Sequence, residues 1–163
     1  MLKKALLLAA LMLPALFAHA HEYKAGSLLI EHPWSMQLPP NAPAVAAYFI
    51  IDNKGEADRL LSVDSPVAGD AQLHEHVQVD GLMKMRQVQS VEVPANGQVR
   101  FAPMAYHVML LGLKDRSKLV DGQRFELILH FAKAGAVPVQ VMVQKQPPEP
   151  GQQAPGQESP HDH

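Results

Sequence analysis

Two histidines and two methionines stand out as residues whose types and spacing could do chemistry: His74, Met85, His107 and Met109, with ten, twenty-one and one residues between successive members. Imidazole and thioether are both neutral donors, so such a set is soft and uncharged. Thioethers favour Cu(I) over zinc, magnesium or calcium, and imidazole suits copper in either oxidation state. Taken singly, each residue has an ordinary reading, because methionine is an adaptable filler of cores and histidine is commonly a surface or satisfied polar group. Together they predict a site for one copper ion, Cu(I) in preference to Cu(II). The chain has no cysteine beside 9 histidines and 8 methionines. That absence excludes thiol redox chemistry, thiolate zinc sites and a blue-copper centre, which needs a Cys ligand.

The elements that must position these groups are strands. In the stretch Leu73 to Met85, Asp80-Gly81 lies between two strand-like runs and signals a two-residue type I′ hairpin. Such a turn pairs Val79 with Leu82, which sets His76 opposite Met85. Side chains alternate across a strand, so His74, His76, Met83 and Met85 then share one face. His74 and Met85 become diagonal neighbours about 7–8 Å apart, within reach of a common ion. A three-residue loop would break this parity. His107 and Met109, two apart at the start of a strand after a turn at Pro103, also point the same way.

Short apolar and β-branched runs recur along the whole chain between turn signals, the pattern of an all-β sandwich or barrel. The expected strands are Ser27 to His32, Val45 to Asp52, Arg59 to Asp64, Ala71 to Val79, Leu82 to Val88, Val91 to Val93, Gln98 to Phe101, His107 to Leu111, Arg124 to Phe131 and Val137 to Gln144. Pro39-Pro40-Asn41, Asn53-Lys54-Gly55, Pro94-Ala95-Asn96-Gly97, Asp121-Gly122 and Lys133-Ala134-Gly135 separate them. No window holds a clean helical period, so helix is expected to be scarce.

At the N-terminus, Met1-Leu2-Lys3-Lys4, the apolar run Ala5 to Phe17 and the triplet Ala18-His19-Ala20 form the basic, apolar and cleavage regions of a secretory signal peptide, residues 1–20. A bilayer span needs roughly 20 apolar residues, and this run is shorter and carries Pro14. The expected mature chain starts at His21, carries no membrane span and has about 140 residues, one ordinary domain over 21–145. From Gln146 to His163 the composition turns to Pro, Gly, Gln and Glu, too polar to order itself, so a disordered tail is expected. A net charge of −2 with no Lys/Arg cluster argues against nucleic acid as a partner.

The spacing His-x10-Met-x21-His-x-Met resembles the signature of the periplasmic copper chaperones that serve the CuA centre of cytochrome c oxidase, the PCuAC family. Pro33-Trp34-Ser35, Ala47-Tyr48-Phe49, Ser65-Pro66-Val67-Ala68, Gly81-Leu82-Met83-Lys84-Met85-Arg86 and Tyr106-His107-Val108-Met109-Leu110-Leu111-Gly112-Leu113 are similar to its recurrent segments, over roughly Gly26 to Val143. The resemblance implies a cupredoxin-like, Greek-key β-sandwich or barrel, with Cu(I) bound near the surface. It further implies a periplasmic location and transfer of copper to cytochrome c oxidase subunit II, at its CuA domain, or to a thiol copper-assembly protein. Two departures stand out. His76 replaces a Met that relatives often have, adding an auxiliary imidazole, and Met104-Ala105 replaces the usual Gly-Gly, stiffening that loop.

Other histidines carry weaker expectations. His130 sits between apolar neighbours and is expected to be structural, while His32, before Pro33-Trp34, is expected in a loop. His161 and His163, in a short His-bearing end, can take up Cu(II) as an auxiliary site. Three functions of different class are compatible with these features: a metallochaperone without turnover, a periplasmic copper buffer conferring tolerance, and an oxidative enzyme with a histidine brace at His21. The thioether-rich centre and the lack of a nucleophile or acid-base constellation weigh against the enzyme.

Overall fold

The computed structural model describes residues 22–149. The proposed signal peptide, His21 and residues 150–163, with His161 and His163, lie outside the described residues. Eleven strands follow one another: β1 (Glu22–Ala25), β2 (Leu28–Met36), β3 (Ala44–Asn53), β4 (Asp58–Asp64), β5 (Ala68–Val79), β6 (Leu82–Val88), β7 (Val91–Val93), β8 (Gln98–Phe101), β9 (His107–Leu113), β10 (Arg124–Phe131) and β11 (Gly135–Gln144). Among the described residues the only helical piece is a 3-10 turn at Arg116–Lys118, and no helix is long and apolar enough to cross a membrane.

The strands run in the order β6-β5-β9-β3-β2-β11-β10-β4-β7, with β1 added to β2 and β8 to β3. β3 gives the same edge to β9 along Ala44–Ala47 and to β8 along Phe49–Asp52. β2 likewise passes from β1 to a parallel pairing with β11. Partner changes of this kind turn the corners of a barrel, and β4 packs against β5 to bring distant parts of the sheet together. The inward row is strictly alternating: Val45, Ala47, Phe49 and Ile51 on β3, Phe125, Leu127, Leu129 and Phe131 on β10, and Val137, Val139, Val141 and Val143 on β11 are all buried. Each such Val, Leu, Ile or Phe side chain contributes about 1.5–3 kcal/mol on burial. The result is the all-β, cupredoxin-like fold expected from the sequence.

All ten expected strands are present, several extended by a few residues. β1 was not expected, because Glu22-Tyr23-Lys24-Ala25 is short and half charged; it exists because Gly26, at φ +59, turns it back onto β2. The loop expected at His32 is instead the middle of β2. The register slips between Glu31 and Trp34, and His32 takes φ +47 inside that bulge. Beyond the bulge, β2 and β3 pair again: Trp34 pairs with Tyr48, their rings 4.7 Å apart, and Ser35 donates to the Ala46 carbonyl at 2.7 Å.

Candidate metal centre

The Asp80-Gly81 turn is the two-residue turn expected, with both residues at positive φ (+51° and +78°). Its register is the one counted from sequence: Val79 opposite Leu82 and His76 opposite Met85. On the other side of β5, His74 pairs with His107 and Gln72 with Met109. Paired residues project to the same side of a sheet, so Gln72, His74, His76, Met83, Met85, His107 and Met109 share one face across β6, β5 and β9. His74 is the hub of this arrangement. His107 is beside it, and Met85 and Met109 lie on its two diagonals, on opposite neighbouring strands.

The opposite face of β5 behaves differently. Leu73, paired with Val108 on one side and Val88 on the other, turns into the core. Further out, Glu75 pairs with Arg86, which donates to it from Nε at 3.0 Å and also from Nη2. The Glu75–Arg86 pair therefore projects away from the histidine and methionine face, and the carboxylate on that face, Asp70, lies beyond Gln72 and bonds its amide nitrogen. That face carries no ionised side chain near its centre, which suits a singly charged, soft cation.

The two hub imidazoles are 5.4 Å apart between ring centroids. His107 is 2% exposed although it points away from the main core. Its Nδ1–H donates to the Ala105 carbonyl at 3.3 Å, and its buried Nε2 has no hydrogen-bond partner. His74 mirrors this: Nε2 meets the Gln72 amide oxygen at 2.9 Å, and buried Nδ1 has no partner. A buried polar atom without a partner costs about 1–3 kcal/mol. Here there are two, on one face and on adjacent strands, each in a ring whose other nitrogen is held by an oxygen. Metal-bound histidines are oriented by this kind of outer hydrogen bond.

Burial pushes the His74 pKa down. It does the same at His107, where the hydrogen bond to Ala105 acts the other way and His74 and His76 add repulsion. Both imidazoles are thus neutral at pH 7, the state that accepts a metal. Among the described residues no three His, Cys, Asp or Glu side chains are placed to hold an ion together. Thioethers are therefore the donors available to complete a site on this face. Met109 is half-buried, Met85 is 54% exposed, and Met83 and Met104 are exposed as well.

The remaining histidines separate. The His76 ring lies 5.2 Å from that of His107, close to the hub on the same face. His130, expected to be structural, is on the outer side of β10 and bonds Asp64 at 2.7 Å. His32 lies apart, its buried Nε2 unpartnered beside a cavity of about 100 Å³ lined by Trp34, Phe49 and Phe101. Gln72 and Asp70 were not singled out from the sequence. The signal was available, since Gln72 is two residues before His74 and so shares its face.

Comparison with known proteins gives the family and the fold. The profile of the family described as "Putative lipoprotein LpqE-like" matches residues 28–143. The putative lipoprotein Lxx21020 of Leifsonia xyli subsp. xyli (strain CTCB07) is 33% identical over 100 residues, 60% of this chain. The match spans only 59% of that protein's length. Among solved structures, the copper-bound PCuAC domain from PmoF2 superimposes with a TM-score of 0.66 at 27% identity, covering 77% of this chain and 99% of that domain. The apo PCuAC domain from PmoF1 gives 0.66 at 29%, covering 77% and 100%. The solution structure of CuI-DR1885 from Deinococcus radiodurans gives 0.58 at 25%, covering 78% and 83%. The chain belongs to the LpqE-like family and folds as a cupredoxin-like PCuAC domain.

Proposed function

We propose that this protein is a Cu(I)-binding metallochaperone of the bacterial cell envelope, with His74, Met85, His107 and Met109 as its ligands and copper as cargo. The observation that carries the reading is the pair of buried, unpartnered nitrogens, His74 Nδ1 and His107 Nε2, on a neutral face that also bears both methionines. Two of the similar structures hold copper, the PCuAC domain from PmoF2 and CuI-DR1885. A relative named as a lipoprotein supports an envelope location.

The graded exposure of the donors suits a carrier. His107 is buried at the base of the site, while Met85 sits on β6, an edge strand of the sheet. A recipient donor can therefore displace the Met85 thioether first, and the ion then passes over by stepwise ligand exchange. Transfer would be to the CuA domain of cytochrome c oxidase subunit II or to a thiol copper-assembly protein, in the periplasm. His76 is a bystander or fifth donor at the same face, and His161 and His163 would form a separate Cu(II) site. The test is to mix the Cu(I)-loaded protein with an apo CuA domain and follow the absorption of the assembled centre. Transfer at stoichiometric protein supports a chaperone. Tight Cu(I) retention with no transfer to the CuA domain or to a dithiol acceptor identifies a buffer instead, and oxygen consumption with copper and a reductant would indicate an enzyme.

A further inference from the structure

We propose that Gln72 is a positioning residue of the copper site: its amide oxygen, fixed by Asp70, holds His74 in the Nε2–H tautomer and leaves Nδ1 bare toward the site. This rests on the copper reading for its purpose, but the hydrogen-bond logic stands by itself. Asp70, Gln72 and His74 are alternate residues of β5 and so stand in a row on one face. The Gln72 amide nitrogen lies 2.8 Å from Asp70 Oδ2. An ionised carboxylate only accepts hydrogen bonds, so the group facing it must be the NH₂ end of the amide. The amide oxygen must then face His74, at 2.9 Å from Nε2. A carbonyl oxygen also only accepts, so Nε2 must carry the proton, and a neutral imidazole with Nε2–H has its lone pair on Nδ1.

The same reasoning gives the opposite answer for His107. There the acceptor is the Ala105 carbonyl and its donor is Nδ1–H, so Nε2 is bare. Both bare nitrogens are buried without partners, a state shared among the described residues only by His32 Nε2. One acceptor-only group at the end of each chain, Asp70 or the Ala105 carbonyl, thus determines which ring edge each histidine offers. Gln72 is half-buried on the outer face and takes no part in the core. Its contribution lies in orientation rather than packing.

Long-range proton–nitrogen correlation spectra of the metal-free full chain, labelled at histidine and recorded near pH 8, read the tautomer directly. The parent should show His74 protonated at Nε2 and bare at Nδ1. Gln72→Leu removes the acceptor and should populate both tautomers, with a 10–100-fold loss of Cu(I) affinity, the range found for partners that orient metal-bound histidines. Gln72→Glu keeps an acceptor at the same place and should retain the parental tautomer. Asp70→Asn should act through the amide, because an asparagine can either donate or accept and no longer fixes which end of Gln72 faces His74. Should Gln72→Leu fail to fold, the Gln72→Glu and Asp70→Asn spectra still decide the tautomer. A parent protonated at Nδ1 of His74, or a folded Gln72→Leu with parental tautomer and parental affinity, would overturn the assignment. If the tautomers behave as stated but the parent holds no Cu(I) against a chelator, the orienting role stands and the metal reading falls.

Discussion

Replacing His107 by leucine separates a ligand from a structural histidine, and the structure sets the size of the effect. The side chain is 2% exposed, and a substitution at such a site ordinarily costs about 0.5–3 kcal/mol. At His107, however, Nε2 is buried without a partner, a burden of about 1–3 kcal/mol that leucine removes. Against this stands the bond from Nδ1 to Ala105, long at 3.3 Å and worth about 0.5–1.5 kcal/mol. Ala105 is itself only half-buried, so water can reach the carbonyl left behind. Metal-free His107→Leu should therefore be as stable as the parent within about 1 kcal/mol, or more stable. Cu(I) should stabilise the parent by about 2.7 kcal/mol when free copper is 100 times the dissociation constant, and should leave the variant unmoved. Urea unfolding under anaerobic, reducing conditions, with and without Cu(I), measures both terms. A metal-free variant weaker by about 3 kcal/mol or more, or one that gains as much from Cu(I) as the parent, refutes the reasoning.

Four further outcomes are expected. Met85→Leu should leave the urea midpoint unchanged, since Met85 is 54% exposed, and Met109→Leu should cost less than about 1.5 kcal/mol; each should weaken Cu(I) by at least about tenfold in a chelator competition. Met104 holds φ +66 in the loop before β9, where a glycine would be unstrained, so Met104→Gly should raise stability by roughly 1 kcal/mol, read as a higher thermal midpoint. Cu(I) affinity should stay level down to about pH 6.5, because burial holds the His74 and His107 pKa values below the usual one; under both pKa values it should fall by up to about two decades per pH unit, and a dissociation constant that changes steeply above pH 7 would contradict this. Burial alone would raise the Asp58 pKa, but the backbone N–H groups of Lys133, Arg59 and Ala134 more than offset it and hold it below the ordinary 3.8. A depressed carboxylate contributes stability that is present above its unfolded pKa and lost as pH falls through the folded one, so the parent should weaken below about pH 4, and Asp58→Asn should show a flatter acid limb in denaturant titrations.

The identity of ten of the eleven strands, the parity of β5, β6 and β9 and the β5–β6 register were present in the sequence, because each depends on neighbours in the chain. Asp80-Gly81 favours a two-residue turn over a three-residue loop, and a two-residue turn dictates that His76 opposes Met85. The four candidate ligands were likewise legible as types and intervals. What the sequence did not carry was the pairing of β5 with β9, which places His107 beside His74 across a long stretch of intervening chain. That contact depends on the whole barrel, since β9 is held by β3, and β3 by β2. The bulge at His32 also arises from tertiary constraints: Trp34 must meet Tyr48 while Glu31 keeps its register with Ile50, and the residues between absorb the difference. The identity of the bare nitrogens was equally hidden. A ring has two edges of similar chemistry, and only acceptors fixed in space, the Gln72 amide and the Ala105 carbonyl, decide which edge is left for a metal.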